Sequence, residues 1–307
     1  MKNNTIISPI FYMGNKKKLI NKGLIDLFPK NINRFYELFS GSGIVSMNVK
    51  ANEYILSDKD VHLAELYNMF KSNSADKIIF EIEKRIEEFN LPKERTKRNI
   101  YQDKNKIECY KQGYINLRKR YNETKNVFDF YTLMFFSFSQ QFRFNNKNEF
   151  NMPFGNDCFS DKNKEYIKNG CNFLKNDFVK IESKNFSEWC RNFKSNITFK
   201  EDDFIYLDPP YNICDAVYNE RQDKWCDKYE LELYNFCEEL NKNNLNFALS
   251  NVFINKGTEN KQLIEWVKDN NFNIIYFDEH TYTACGKGNS KTKEVLITNY
   301  KILQKTT

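Results

Sequence analysis

Histidine is almost missing from this 307-residue chain, which has only His62 and His280. That scarcity argues against a zinc site built on imidazoles and leaves little room for a serine–histidine–aspartate device. The eight cysteines, at positions 109, 158, 171, 190, 214, 226, 237 and 285, include no C-x-x-C pair. They fall inside patterned segments and read as reduced, mostly packed thiols rather than a disulfide framework. Long hydrophobic runs are lacking too. The longest apolar stretch, Phe130 to Phe138, is far short of the ~20 residues that span a bilayer. The N-terminus reaches Lys16-Lys17-Lys18 without a secretory segment. The expectation is a cytoplasmic, unprocessed protein with no metal and no membrane partner.

What the chain does have is aromatic and locally basic. Of a net charge of +6, residues 93–125 alone carry eleven Lys/Arg against four Asp/Glu, so the remainder is slightly acidic. This block interleaves its cations with Tyr101, Tyr110, Tyr114 and Tyr121, a pattern suited to phosphate contact and base stacking. A solvated helical face would account for it equally well.

A short apolar strand over residues 34–39 runs into Ser40-Gly41-Ser42-Gly43, and the pattern predicts a helix over 44–50. A second strand over 54–57 ends at Asp58. Strand, glycine turn, helix, strand and acid, in that order, open a doubly wound α/β sheet whose ligands lie at the carboxyl ends of the strands. Gly41 and Gly43 remove side chains where backbone must approach a ligand, and Asp58 is placed to accept from ribose hydroxyls. Ser46 stands at the third fingerprint position, against a nicotinamide dehydrogenase. The pattern is helical from 64 to about 89, with Ile78, Ile82, Ile86 and Phe89 on one face. After the basic block and an aromatic stretch, Asn145-Asn146-Lys147-Asn148 marks the turn of a hairpin. Further strands are expected at 204–207, 247–251, 274–277 and 295–300, with helices near 229–242 and 260–270. The fold class expected is α/β, a core interrupted by a basic, aromatic insertion.

The strongest chemical signal is Asp208-Pro209-Pro210-Tyr211, directly after the apolar strand Phe204-Ile205-Tyr206-Leu207. Two prolines end the ladder and hold a rigid loop that presents an acid, a carbonyl and an aromatic ring together. Such a loop suits an amino group on a flat ring. Asp208 and the Pro209 carbonyl accept its two hydrogens, and Tyr211 stacks on the ring face.

These residues resemble the Dam-type, alpha-group DNA adenine-N6 methyltransferases that use S-adenosylmethionine. Tyr12-Met13-Gly14-Asn15-Lys16 is similar to the family's N-terminal G-x-K segment near the methionine end of the cofactor. Phe39-Ser40-Gly41-Ser42-Gly43 is similar to its F-x-G-x-G loop, and Asp58 to its ribose-binding acid. Asn176-Asp177-Phe178 resembles a segment whose Asp177 and Phe178 would flank the cofactor adenine. Arg143-Phe144-Asn145 with Glu149-Phe150-Asn151-Met152-Pro153-Phe154-Gly155 resembles the target-recognition signature, and Glu294 to Tyr300 the last strand.

The resemblance implies a Rossmann-like methyltransferase sheet with an inserted helical and β-hairpin target-recognition domain: core 1–63, recognition domain 64–164, core 165–307. It implies methyl transfer to an adenine flipped from a short duplex target, GATC-like, with Asp208, Pro209 and Tyr211 catalytic. Cofactor contacts would come from Tyr12, Lys16, Phe39, Gly41, Gly43, Asp58, Asp177, Phe178 and Asp208. Arg143 would read guanine, with Gln141, Asn145 and Pro153 on the same DNA-facing segment, and Phe138 is either a wedge beside the flipped base or a core aromatic. Lys291, with Lys287 and Lys293, is either a phosphate contact or part of a solvated loop. Ser139-Gln140-Gln141 departs from the family's N-G-L-like run, and Gln pairs with adenine where Leu would pack on a thymine methyl. Partners implied are double-stranded DNA and a cognate restriction endonuclease acting on the same site without a stable complex, with a monomer expected. N4-cytosine or RNA adenine as acceptor, and an inactive DNA-binding protein on the same fold, are the competing readings.

Overall fold

The computed structural model describes residues 5–94, 104–155, 157–195, 199–211, 225–255, 257–277 and 292–302. It divides the chain into two compact units, one comprising Met1–Asn15, Gly41–Met47 and Asp60–Asp177, the other Lys16–Ser40, Asn48–Lys59 and Phe178–Thr307.

The second unit is built on a sheet whose central strands, largely apolar, are buried on both faces. Its strands are β1 (Arg34–Glu37), β2 (Glu53–Ser57), β3 (Val179–Glu182), β4 (Phe204–Leu207), β5 (Asn246–Asn255), the two-residue β6 (Thr258–Glu259), β7 (Asn273–Tyr276) and β8 (Lys293–Thr298). They form one sheet in the order β3-β2-β1-β4-β5-β8-β7, with β6 folding back on β5. The first five strands are parallel, and β8 lies antiparallel to both β5 and β7. Strand order reverses between β1 and β4, so the loops leaving their carboxyl ends meet at the topological switch point, where such sheets bind ligands. Those loops begin at Leu38 and Asp208.

Period-2 alternation gives the two faces different duties. Tyr36, Leu38, Ile205, Leu207, Phe247, Leu249, Val295 and Ile297 share a core with α7 (Phe186–Ser195), α8 (Asp227–Lys242) and α9 (Lys261–Asp269). Trp189 of α7 donates its indole N–H to Ser57 Oγ at 2.8 Å, which satisfies two polar groups inside that core. Phe35, Phe204 and Tyr206 gather instead around Phe28, with centroids 4.9–6.2 Å from it. Phe28 follows the short helix α1 (Lys17–Asn21) and a 3-10 turn, Leu24–Leu27.

The first unit contains α2 (Val61–Ser72), α3 (Ala75–Glu88), α4 (Lys104–Thr124), α5 (Val127–Phe136) and α6 (Asp161–Leu174). The longest apolar run of the sequence, up to Phe136, lies in α5, which is buried from Asp129 to Phe136. A helix buried all round belongs at the centre of a bundle. Asn126 starts it, its side chain accepting from the Phe128 and Asp129 amides. The buried Asp129 carboxylate is held by Arg85 at 2.5 Å and Arg120 at 2.8 Å.

Several local expectations need correction. Residues 44–50 form no α-helix. Only a 3-10 turn, Ser46–Asn48, follows the glycine loop. The helical stretch from 64 to 89 is two helices, because Asn73 leaves the helical region and Ser74 caps α3 by accepting from the Lys77 amide. The last strand ends at Thr298, two residues early, where the Thr298 hydroxyl turns to the Tyr300 carbonyl. The strand β3 and helix α7 were not anticipated.

The basic block also reads differently. Tyr114 and Tyr121 are fully buried and cannot stack on bases. Tyr114 donates to the Met152 carbonyl at 2.9 Å, Arg118 to the same carbonyl at 3.2 Å, and Lys125 to the Asn148 carbonyl at 2.6 Å. Asn122 clamps Phe150 from both sides, accepting from its amide at 2.7 Å and donating to its carbonyl at 3.2 Å. These contacts make α4 the scaffold of the segment that follows α5. Tyr101 lies outside the described residues.

Candidate functional site

At the end of β4 the chain leaves the sheet as Asp208-Pro209-Pro210-Tyr211, with Pro209 buried and Tyr211 partly exposed. Lys16, just before α1, is 5% exposed, and its ammonium lies 2.6 Å from Asp208 Oδ2. The same ammonium is 3.8 Å from Glu294 Oε1 on β8 and 5.4 Å from the Tyr211 ring centroid. The Tyr211 hydroxyl shares its single proton between two acceptors, Asp208 Oδ1 at 3.1 Å and Glu294 Oε1 at 3.2 Å. Four side chains from three distant parts of the sequence thus converge at the switch-point edge of the sheet. Lys17 and Lys18 are exposed.

Burial pushes the Asp208 carboxyl above its ordinary range, the Lys16 ammonium and the Tyr211 hydroxyl pull it down, and the Glu294 carboxylate pushes it up, with a net upward direction. Beneath it, Tyr206 is held protonated by burial and hydrogen-bonds Ser250 at 2.7 Å. Glu294 was legible only as part of a strand, although a lone acid before Val295-Leu296-Ile297 is the kind of misfit that marks a site.

The other switch-point loop carries Phe39, packed between Phe186 at 5.0 Å and Trp225 at 5.5 Å, and Ser40, whose amide donates to the Ser57 carbonyl at 2.9 Å. Asp58 follows β2 and is partly exposed, its amide bonded to the Glu182 carbonyl at 3.3 Å. Phe178, before β3, keeps 58% of its surface exposed, which puts aromatic surface where a planar ligand could reach it.

In the helical unit, Gly41 and Gly43 take φ values of +47° and +69°, a region that favours glycine. A Cβ on Gly41 would stand 2.9 Å from the Tyr12 ring. The Gly41 carbonyl accepts from the buried Tyr67 hydroxyl at 2.6 Å, a contact helical periodicity could not reveal. Asp177 is exposed at the end of this unit.

The segment after α5 places the DNA-facing candidates. Phe144 and Phe150 form an antiparallel bridge, as do Ser137 and Phe154, so the expected hairpin is present as two isolated pairs rather than a ladder. Asn145 closes its turn, accepting from the Lys147 and Glu149 amides and donating to Glu149 Oε2 at 2.7 Å. Arg143 is exposed and oriented by Asn151, whose Oδ1 accepts from its Nε at 2.9 Å. Gln141 is partly exposed and Pro153 exposed. Phe138 is 50% exposed, which removes the core reading, and Ser139 and Gln140 after it both have positive φ, 57° and 55°. Below the turn, His62 stacks on Phe144 with centroids 3.7 Å apart and contacts Asn148 Oδ1 at 3.1 Å, an arrangement the sequence did not disclose. Lys287 and Lys291 lie outside the described residues.

Among the described residues no three or more His, Cys, Asp or Glu side chains are grouped to hold a metal ion, and no helix is long and apolar enough to cross a membrane. The described cysteines are free, with Cys171, Cys190 and Cys237 buried.

Comparison with known proteins points the same way as this geometry. Residues 12–283 match the family described as D12 class N6 adenine-specific DNA methyltransferase. The chain is 38% identical to the modification methylase StsI of Streptococcus sanguinis and 35% identical to the type II methyltransferase M.FokI of Planomicrobium okeanokoites. Those alignments take in 96% and 97% of this chain but 43% of each relative, so the chain spans less than half their length. Identity is 25% to the type II methyltransferase M1.LlaDCHI of Lactococcus lactis subsp. cremoris, over 94% of both chains.

Proposed function

Because this chain belongs to the D12 class of N6 adenine-specific DNA methyltransferases, we propose that it methylates the N6 amino group of an adenine flipped out of a short duplex target. The observation that carries this reading is the Asp208-to-Tyr211 loop at the switch point, with a buried lysine held against its acid.

S-adenosylmethionine is the proposed donor, and when bound it supplies an electrophilic methyl on a sulfonium. The residues present fit that group. Gly41 leaves the space a Cβ would close against Tyr12, Phe178 offers an exposed ring for the adenine moiety, and Asp58 offers a carboxylate for ribose hydroxyls. Phe39, Gly43, Lys16 and Asp177 complete the proposed contacts.

An exocyclic amino group is a poor nucleophile because its lone pair is delocalised into the ring. Asp208 and the Pro209 carbonyl would accept one N–H each, favouring a tetrahedral nitrogen with its lone pair directed at the methyl. The Tyr211 ring would offset stacking lost on flipping. Nothing in this scheme needs a covalent enzyme intermediate.

Target reading is proposed for the inserted segment, 64–164. Arg143, pre-oriented by Asn151, would take guanine O6 and N7, Gln141 a neighbouring base, and the exposed Phe138 the gap beside the flipped adenine. Asn145 would act by fixing this turn and Pro153 by lining the DNA-facing surface. The site would be short and GATC-like, with Gln141 altering one position. The StsI relative's name as a modification methylase supports a role in restriction-modification, and the proposal extends to a monomer in the cytoplasm, acting beside a restriction endonuclease that cuts the same sequence without a stable complex.

The test is to incubate the purified protein and S-adenosylmethionine with unmethylated plasmid and map modified bases by single-molecule sequencing. N6-methyladenine confined to one motif is expected. DNA without modified adenine, with the cofactor bound, would overturn the reading.

A further inference from the structure

The β8 strand is buried from Glu294 to Thr298, and Glu294 is its one carboxylate there, 2% exposed. A buried carboxylate is costly unless charges and donors meet it. Here they do, and they are the same two groups that meet Asp208. The Lys16 ammonium sits 2.6 Å from Asp208 and 3.8 Å from Glu294, and the Tyr211 hydroxyl lies 3.1 Å from one and 3.2 Å from the other. Each Asp208 oxygen therefore already carries a donor. A salt bridge as short as that to Lys16 draws off the electron density with which the carboxylate would pull on an amino N–H.

We infer that Glu294 is a positioning residue that takes over the Lys16 ammonium and the Tyr211 hydroxyl as Asp208 turns to the acceptor amino group. The inference rests on the proposed role of Asp208. The handover is short. Lys16 moves about 1 Å closer to a carboxylate it already faces, and the Tyr211 hydroxyl gives its one proton wholly to Glu294. The positive charge stays inside the site throughout, so no ammonium is exposed to solvent or left unpaired in the interior. With Glu294 neutral, Lys16 would have Asp208 as its stronger partner, and the acid would stay masked.

The charged and titratable groups facing Asp208 are Lys16 from before α1, Glu294 from β8, Tyr211 from its own loop and Tyr206 from β4, on which Glu37 of β1 acts in turn. Of these, Glu294 is the acid that raises the Asp208 carboxyl. Removing its charge lowers that carboxyl, and the acid limb of the methylation rate should move to lower pH. A residue that only packs would leave the limb in place.

The experiment measures single-turnover methylation of a duplex carrying the mapped motif, from pH 5 to 9, with S-adenosylmethionine affinity alongside. The proteins are wild type, Glu294→Gln, Glu294→Asp, Lys16→Met and the Lys16→Met/Glu294→Gln double variant. Glu294→Gln is expected to slow transfer at least tenfold at neutral pH and shift the acid limb downward, with cofactor affinity within threefold. Glu294→Asp should return the limb and part of the rate. In the Lys16→Met background the same glutamine should cost less than threefold, because the handover it serves is already gone. A wild-type rate in Glu294→Gln, an unmoved acid limb, or an undiminished penalty in the Lys16→Met background would each overturn the inference. Should Glu294→Gln not fold, Glu294→Asp decides. Withdrawing the carboxylate by one methylene is expected to slow transfer at least threefold, and a wild-type rate would overturn the idea. Asp208→Ala, run in parallel, separates the two layers. Turnover retained there defeats the role given to Asp208, whereas a dead Asp208→Ala beside an unaffected Glu294→Gln defeats the handover alone.

Discussion

The Tyr67 hydroxyl donates to the carbonyl of Gly41 at 2.6 Å, inside the buried interior of the helical unit. The bond fixes a glycine held at φ +47°, whose missing side chain leaves room for the Tyr12 ring. Tyr67 is thus tied to the glycine loop through backbone, from a helix with no motif of its own.

Tyr67→Phe should therefore act on the loop. Losing one buried hydrogen bond costs about 1 kcal/mol, and the carbonyl left behind raises that toward 2. The expected result is a fall in melting temperature together with a several-fold weaker S-adenosylmethionine affinity, read by thermal unfolding and equilibrium dialysis. Unchanged cofactor affinity would show that the loop holds its shape without Tyr67.

The Asp208 carboxyl is raised in the folded protein above its ordinary value of 3.8, chiefly by burial. A folded-state pKa above the unfolded one means that the site's contribution to stability is fully present below about pH 4 and is lost as pH rises through the raised value. Asp208→Asn should thus melt higher than wild type at neutral pH, and the gain should vanish on acidification toward pH 4. Calorimetry across that range checks it. A gain independent of pH would assign the effect to something other than ionisation. The same variant should be inactive, which would make the acid a case of stability given up for function.

The parts of this protein that were legible in the sequence are those where local chemistry and position coincide. Asp208-Pro209-Pro210-Tyr211 announces a loop because two prolines after an apolar strand permit little else, and Gly41 and Gly43 announce a turn that needs positive φ. The predicted helix over 44–50 failed for a physical reason. Its apolar residues Ile44, Val45 and Met47 are buried without helical period, so hydrophobicity alone imitated a helix. Tyr114 and Tyr121 misled in the opposite sense. Set among lysines and arginines they looked like a stacking surface, yet they face inward and the cations beside them bind backbone carbonyls. Glu294, Tyr67 and His62 stayed hidden because their partners lie 83, 26 and 86 residues away, at Tyr211, Gly41 and Asn148. Such long-range meetings are set by sheet order and helix packing.

Arg143 stands exposed with Asn151 accepting twice from it, Oδ1 from Nε at 2.9 Å and the carbonyl from Nη2 at 3.5 Å, so the guanidinium plane is already fixed. Pre-orientation lowers the entropy lost on forming a bidentate contact. Arg143→Ala should cost about 1–3 kcal/mol of discrimination at one guanine. Motif mapping should show that single position becoming degenerate, with methylation still confined to adenine. Asn151→Ala, which removes the brace and keeps the arginine, should weaken the same position less. If both variants kept the wild-type motif, guanine reading would have to lie elsewhere on the segment.

Asn122 makes the most economical test of α4 as a scaffold. Its side chain accepts from the Phe150 amide at 2.7 Å and donates to the Phe150 carbonyl at 3.2 Å, imitating the partner strand that the isolated bridge at Phe144 does not supply further along. Phe150 itself is 1% exposed, so Asn122→Ala strands a buried amide and carbonyl, a loss of about 1–3 kcal/mol. Because Phe150 is bridged to Phe144 next to Arg143, the loosened pair should blur the position of the reading residues before it unfolds anything. The expected signature is weaker binding to duplexes carrying the mapped motif, with binding to unrelated duplex changed less than twofold and S-adenosylmethionine affinity preserved. Fluorescence anisotropy on matched and unmatched duplexes measures both. An equal loss on the two DNAs would mean that the Asn122 clamp supports DNA contact in general rather than the reading of one motif.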